Sequence, residues 1–188
     1  MTTFKDVLGR AGIDPREVNV ILHMPAEAGF ADALAAGLLS TRPEAFECYQ
    51  RFHRMRAAAT LSGGRPLVAS FVRTGFDPAA RRTRLRFVGL YDNPGPRQRP
   101  RAEFEADPEV RWLHDAFGVF AAELAPGQRG DLDWFDLTLS ERLRNVRRRL
   151  VVDMPFGRSY VRLAENFDAE VHEVSAEGGD LPRDGGAS

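Results

Sequence analysis

Cysteine is almost absent from this sequence: Cys48 stands alone among 188 residues. One thiol cannot close a disulfide within the chain or furnish a zinc cluster, and a reducing cytoplasm is its simplest setting. Lysine is as rare, Lys5 being the only one, so every other basic side chain is an arginine. A GC-rich genome accounts for such a bias. Its consequence is chemical, because planar guanidinium forks match phosphate and carboxylate as a point-charge ammonium does not. Apolar runs are short, and none approaches the roughly 20 residues of a helical membrane span. MTTFKDVLGR lacks a basic stretch followed by an apolar one, so neither a membrane partner nor a secretory signal is expected.

The usual marks of catalysis are missing too. His23, His53, His114 and His172 fall in four separate elements without HxxxH or HxH spacing, so no metal site is expected. Gly63-Gly64 lacks the lysine of a phosphate-binding loop, and Gly75, Gly89 and Gly157 do not form GxGxxG, so no nucleotide cofactor is expected. The carboxylate pairs Asp131/Asp133 and Asp133/Asp136 are ordinary beside a strand. Cys48 lies on the apolar stripe of a helix, where packing is its expected role. An enzyme would need a site without a motif, with His23, Asp153 and Arg158 the residues to gather.

What the sequence does have is a globular composition, 43% hydrophobic and 28% charged, and enough length for one domain with a real core. Its charge is unevenly spread. Residues 165–188 hold seven acids and one base, a net −6, which leaves about +5 on residues 1–164. Residues 1–174 are expected to form a single domain, and the Gly-, Pro- and acid-rich stretch 175–188 a disordered tail.

The clearest structural signal is Arg65–Tyr91, RPLVASFVRTGFDPAARRTRLRFVGLY. Leu67, Ala69 and Phe71 alternate with Val68, Ser70 and Val72; Leu85, Phe87 and Gly89 alternate with Arg84, Arg86 and Val88. A period of two places successive side chains on opposite faces of a strand. Gly75, Asp77 and Pro78 supply the turn, so the stretch reads as a β-hairpin.

Around it, Thr3–Gly12 reads as a helix capped by Thr3, Val18–Met24 as a strand, and Ala31–Leu39 as a short helix. Thr41-x-x-Glu44 predicts a capping box opening a helix to about Ala59, and Asp107-Pro108 opens another to about Ala122. The stretch between Tyr91 and Asp107 begins DNPGPRQRPR, a surface loop by composition. Leu132–Leu137 reads as a strand with Trp134 and Phe135 on opposite faces. Thr138-x-x-Glu141 predicts a second capped helix, with Leu139, Leu143, Val146 and Leu150 inward and Arg142, Arg144, Arg148 and Arg149 in water. Val151-Val152 and Tyr160–Leu163 read as strands around a turn at Pro155–Arg158, and Val171–Val174 as an edge strand. Hairpins mixed with isolated helices give an α+β class: a mixed or antiparallel sheet, free to curl into a small barrel, with helices packed on it.

Three stretches, ASFV…RFVGLY in the hairpin, AFECYQ before it and RLVVDMPFGRSYVRL after it, with Ala11-Gly12-Ile13-Asp14 behind the first helix, carry a family likeness. Together they resemble the N-terminal region found on some bacterial GIY-YIG nuclease-family proteins, over most of residues 3–163. The two tripeptides of the nuclease module are not present. The resemblance therefore implies an accessory region without the cutting module. Its implied role is to engage DNA, or a partner working on DNA, in a defence or DNA-processing system.

Arg81, Arg82, Arg84 and Arg86 on the hairpin, Arg97, Arg99 and Arg101 after it, and Arg142–Arg149 are the basic clusters. Arginines interleaved with exposed aromatics suit phosphate contact and base stacking, whereas a solvated arginine surface is the plain alternative. The residues expected to contact nucleic acid are Tyr49, Gln50, Arg54, Arg84, Arg86, Trp134 and Arg158. Trp134 reads as a core filler before it reads as a stacking platform. The leading expectation is a non-catalytic nucleic-acid-binding module. A protein-interaction subunit, antitoxin-like in character, is the alternative, and an enzyme with a non-motif site the third.

Overall fold

Two eleven-residue strands, β3 (Leu67–Asp77) and β4 (Arg82–Asp92), pair antiparallel and form the spine of the molecule. A computed structural model describes residues 2–23, 41–54, 64–155 and 171–173 of the chain. Asp77 shapes the hairpin turn, its Oδ1 accepting from the backbone N–H groups of Ala79 and Ala80 at 2.9 and 3.0 Å. Gly75 belongs to β3, opposite Arg84, and not to the turn.

The expected alternation holds as far as Phe87 and then shifts. Ser70 faces Gly89 while Phe71 faces Phe87, so Val88 is an extra residue on β4, a β-bulge. Past it Leu90, instead of Gly89, rejoins Leu85 and Phe87 in one apolar cluster. Gly89 has a second reason to lack a side chain. A Cβ there would lie 3.0 Å from Leu139 Cδ1 and 3.2 Å from Tyr91 Cε2. Gly89→Ala is therefore expected to lower stability by about 1–2 kcal/mol in urea denaturation; an unchanged midpoint would mean that Leu139 and Tyr91 yield freely.

Further strands flank the hairpin. β1 (Val18–His23) runs parallel to β3, while β8 (Leu150–Pro155) runs antiparallel to β4 and β9 (Val171–Glu173) antiparallel to β8. The order is β1-β3-β4-β8-β9, with the short β7 (Thr138–Leu139) on the far end of β4. This is the mixed sheet of an α+β fold, and it is not closed into a barrel.

One face of that sheet is covered by α1 (Phe4–Arg10), for which Thr3 and Asp6 form a reciprocal capping box. Phe4 is fully buried and meets Phe71 edge-on at 5.1 Å and Phe87 at 5.5 Å. Leu8, Val20, Leu85 and Val152 complete the same core.

Over the other face lie a second sheet, β2 (Phe52–Arg54), β6 (Leu132–Asp136) and β5 (Pro96–Arg99), and three helices. The helices are α2 (Pro43–Gln50), α3 (Arg101–Ala106) and α4 (Pro108–Phe117). Period-two geometry in β6 divides its aromatics: Phe135 joins Val68 and Tyr91 of the large sheet, and Trp134 joins Phe46, Phe104 and Leu113 of the helices. Asp107 is the joint between α3 and α4. Its Oδ1 accepts from the Glu109 N–H at 2.9 Å, capping α4, and its Oδ2 accepts from Arg99 at 3.2 Å.

Several expectations are corrected. The helix beginning near Thr41 ends at Gln50, because Phe52–Arg54 leave it to pair with β6. It starts at Pro43 behind Arg42, which makes no side-chain cap. DNPGPRQRPR is not wholly loop, since Pro96–Arg99 is a strand and α3 follows. The helix expected from Thr138 to Leu150 is replaced by β7 and a 3-10 turn at Arg144–Val146. The helix at Ala31–Leu39, the strand at Tyr160–Leu163 and the tail 175–188 lie outside the described residues.

Candidate functional site

The residues expected to contact nucleic acid separate into an inner and an outer group. Gln50, at the end of α2, is fully buried and donates to Ser70 Oγ at 2.5 Å, with His23 Nε2 at 3.2 Å. Tyr49 is buried beside it, stacked at 6.2 Å on Phe120. Trp134 has no exposed surface and is enclosed by Phe52, Phe104 and Phe120. These three therefore present no face to a base in solution. Arg54 enters β2 opposite Trp134, and Arg158 lies outside the described residues.

The outer group is Arg84 and Arg86, at alternate positions of β4 with Arg82, and so on one face of it. Arg84 donates from Nε to Asp153 Oδ1 of β8 at 3.1 Å. Asp153 also lies 3.7 Å from His172 Nε2. Two strands separate β1, with His23, from β8, with Asp153, so His23 and Asp153 are not gathered into one pocket.

Most described arginines are answered by an acid. Arg16, Arg51, Arg97, Arg99, Arg101, Arg142, Arg144 and Arg149 each pair with Asp or Glu. Apart from the buried Arg99–Asp107 pair, the exposed pairs among these contribute little to stability, a median of about 0–1 kcal/mol, but they cancel the field a polyanion would feel. Arg81 and Arg82 on the hairpin, Arg111 on α4 and Arg129 in the loop after it are exposed.

Sequence reading missed the densest charge cluster. Glu47 of α2 receives Arg148 Nη2 at 3.0 Å and Tyr91 Oη at 3.0 Å, and forms an ion pair with Arg147. Arg147 Nε also donates to the Val88 carbonyl at 2.9 Å. Burial, and then its neighbour Arg148, lowers the Arg147 pKa to about 10; burial also lowers that of Arg148 and raises that of the Tyr91 hydroxyl. Arg148 is thus turned inward, contrary to its expected place in water.

The other missed residue is Trp112, the one large apolar side chain exposed among the described residues, at 42%. Helical spacing carried the signal, since Val110, Leu113 and Phe117 take the inner face of α4 and leave Pro108, Trp112 and Ala116 on the outer one.

Cys48 keeps its packing role. Burial, and then the Glu109 carboxylate, pushes its thiol up to about 12. At pH 8 this leaves a thiolate fraction roughly a thousandfold below that of a free cysteine, partly offset by the higher nucleophilicity of a more basic sulfur. Iodoacetamide is expected to label the native protein about 50-fold more slowly than the urea-unfolded chain; equal rates would show an accessible, ordinary thiol.

Among the described residues no group of His, Cys, Asp and Glu is placed to hold a metal ion, and no helix is long and apolar enough to cross a membrane. No protein-family model, curated protein or solved structure matches the chain.

Proposed function

We propose that this domain is a protein-interaction module that docks through the outer face of α4. Trp112 carries the reading. Tryptophan is the side chain most enriched at the energetic centres of protein interfaces, and exposing it to water forfeits a large apolar contribution. Arg111 and Asp115 flank it, both exposed and without an ion pair among the described residues. A basic and an acidic group four positions apart are self-complementary across a two-fold axis, so that Arg111 of one copy meets Asp115 of the other. The partner that fits this face is a second copy of the chain.

Sedimentation velocity between about 5 and about 300 µM protein tests it, on the full chain. The expected result is a rise in mass with concentration, a blue shift of tryptophan emission, and loss of both in Trp112→Ala. A monomer throughout, with constant emission, overturns it.

A second reading rests on the arginine row Arg82, Arg84 and Arg86. In it the domain holds a nucleic-acid backbone, as an accessory part of a DNA-processing or defence system. Gel retardation of duplex and single-stranded DNA at about 50 and about 200 mM salt separates the readings. Retention that is lost with salt and weakened by Arg82→Ala/Arg86→Ala supports the second. No retention, by protein lacking residues 175–188 as well, removes it.

A further inference from the structure

We propose that the cleft between α1, the turn at Leu143–Val146 and the β8–β9 ladder binds an amphipathic monocarboxylate, an acid with an aliphatic or aryl body. The cleft encloses about 500 Å³ and is half open, within the ~300–1,000 Å³ usual for small-molecule sites. Its floor is aliphatic. Leu143 and Leu150 belong to the core beneath it, and Val7, Val146 and Val171 are only partly covered by that core. Uncovered branched side chains from three separate elements converge on one depression, which is an arrangement that an apolar chain would complete.

Charge fixes the other end of the ligand. Among the described residues two acidic or basic side chains line the cleft, Arg10 and Glu173. Glu173 is already engaged by Arg149 Nη2 at 3.4 Å. Arg10, in the last turn of α1, is exposed; the carboxylate that senses its charge, Asp6 one turn back, is held by the Thr3 N–H and hydroxyl at 2.8 Å and forms no direct ion pair with it. The charge left over is thus one guanidinium at the border of an apolar floor. A carboxylate answers it with a charge-assisted hydrogen bond, whereas an amine meets repulsion and a neutral chain leaves it unused. This site is remote in sequence from the Trp112 face and does not depend on it.

Decanoate is the probe, titrated into the nitrogen-15-labelled full chain and followed by amide shifts, with decanol and decylamine beside it. Saturable shifts at Val7, Arg10, Val146 and Val171 are expected, with decanoate binding about tenfold more tightly than decanol and decylamine more weakly than either. Arg10→Gln is expected to erase the decanoate–decanol difference while decanol binding persists, and Val146→Trp to remove both by filling the cleft. Should Val146→Trp disturb the amide spectrum as a whole, Arg10→Gln decides alone, because that side chain is exposed. Absence of saturable shifts at about 1 mM decanoate, equal affinity for acid and alcohol, or shifts centred on α4 would overturn the proposal.

Discussion

Replacing Glu47 with alanine is expected to lower the free energy of unfolding by about 3 kcal/mol. The carboxylate is the common acceptor for Arg147, Arg148 and Tyr91, and its side chain and both arginines are at most 28% exposed. Removing it leaves two guanidinium groups facing each other in partial burial and strands the hydroxyl of Tyr91, itself 1% exposed. Breaking a fully buried pair by deleting one partner costs about 3–5 kcal/mol, and partial exposure places this cluster at the lower end. Glu47→Gln keeps an acceptor for Tyr91 but not the charge, so its loss should fall between. Urea denaturation gives both values. In a cycle with Arg148→Ala the double variant should lose less than the sum of the singles. A loss under about 0.5 kcal/mol for Glu47→Ala would mean that water already satisfies the cluster.

Trp134→Ala is expected to be costlier still, about 3–5 kcal/mol. The indole lies stacked on Phe104 at 4.6 Å and edge-on to Phe52 and Phe120 at 6.1 and 5.6 Å. Its loss opens a cavity among aromatic rings contributed by β2, α3 and the loop after α4, which cannot close together over it. Its Nε1 has no hydrogen-bond partner among the described residues. Trp134→Phe therefore forfeits no hydrogen bond and should lose only about 1–2 kcal/mol. Equal losses for the two variants would point to a bonded indole N–H, and a small loss for alanine to a core that collapses.

Local patterns in the sequence anticipated the elements that local physics decides. The hairpin, the capped α1, the strand around Trp134 and the edge strand β9 all follow from alternation, capping and turn chemistry within a few residues. The bulge at Val88 was invisible, since it depends on Gly89 accommodating Tyr91 and Leu139. The region Thr138–Leu150 carried helical spacing, yet the backbone N–H of Arg148 donates to the Phe87 carbonyl at 2.8 Å, and its side chain reaches Glu47, 101 residues away in sequence. Tertiary bonds overrode the local preference there. The same distance explains the arginines. Counting charge along the chain found a basic body, but not which acids the fold would bring to Arg84, Arg97 or Arg148. Trp112 was legible in its helical spacing, whereas the cleft beside Arg10 needs three elements that only folding brings together.

Val171 donates its backbone N–H to the carbonyl of Thr2 at 2.9 Å, so β9 is stitched to the residue that precedes the Thr3 cap of α1. During synthesis at roughly 5–20 residues per second, that stitch waits roughly 10–30 s after α1 has been made. For most of the wait Phe4 and Leu8 have emerged, or are emerging, while their partners Leu150 and Val152 do not yet exist. The nascent chain is left greasy around α1, which is the kind of surface a ribosome-associated holdase grips.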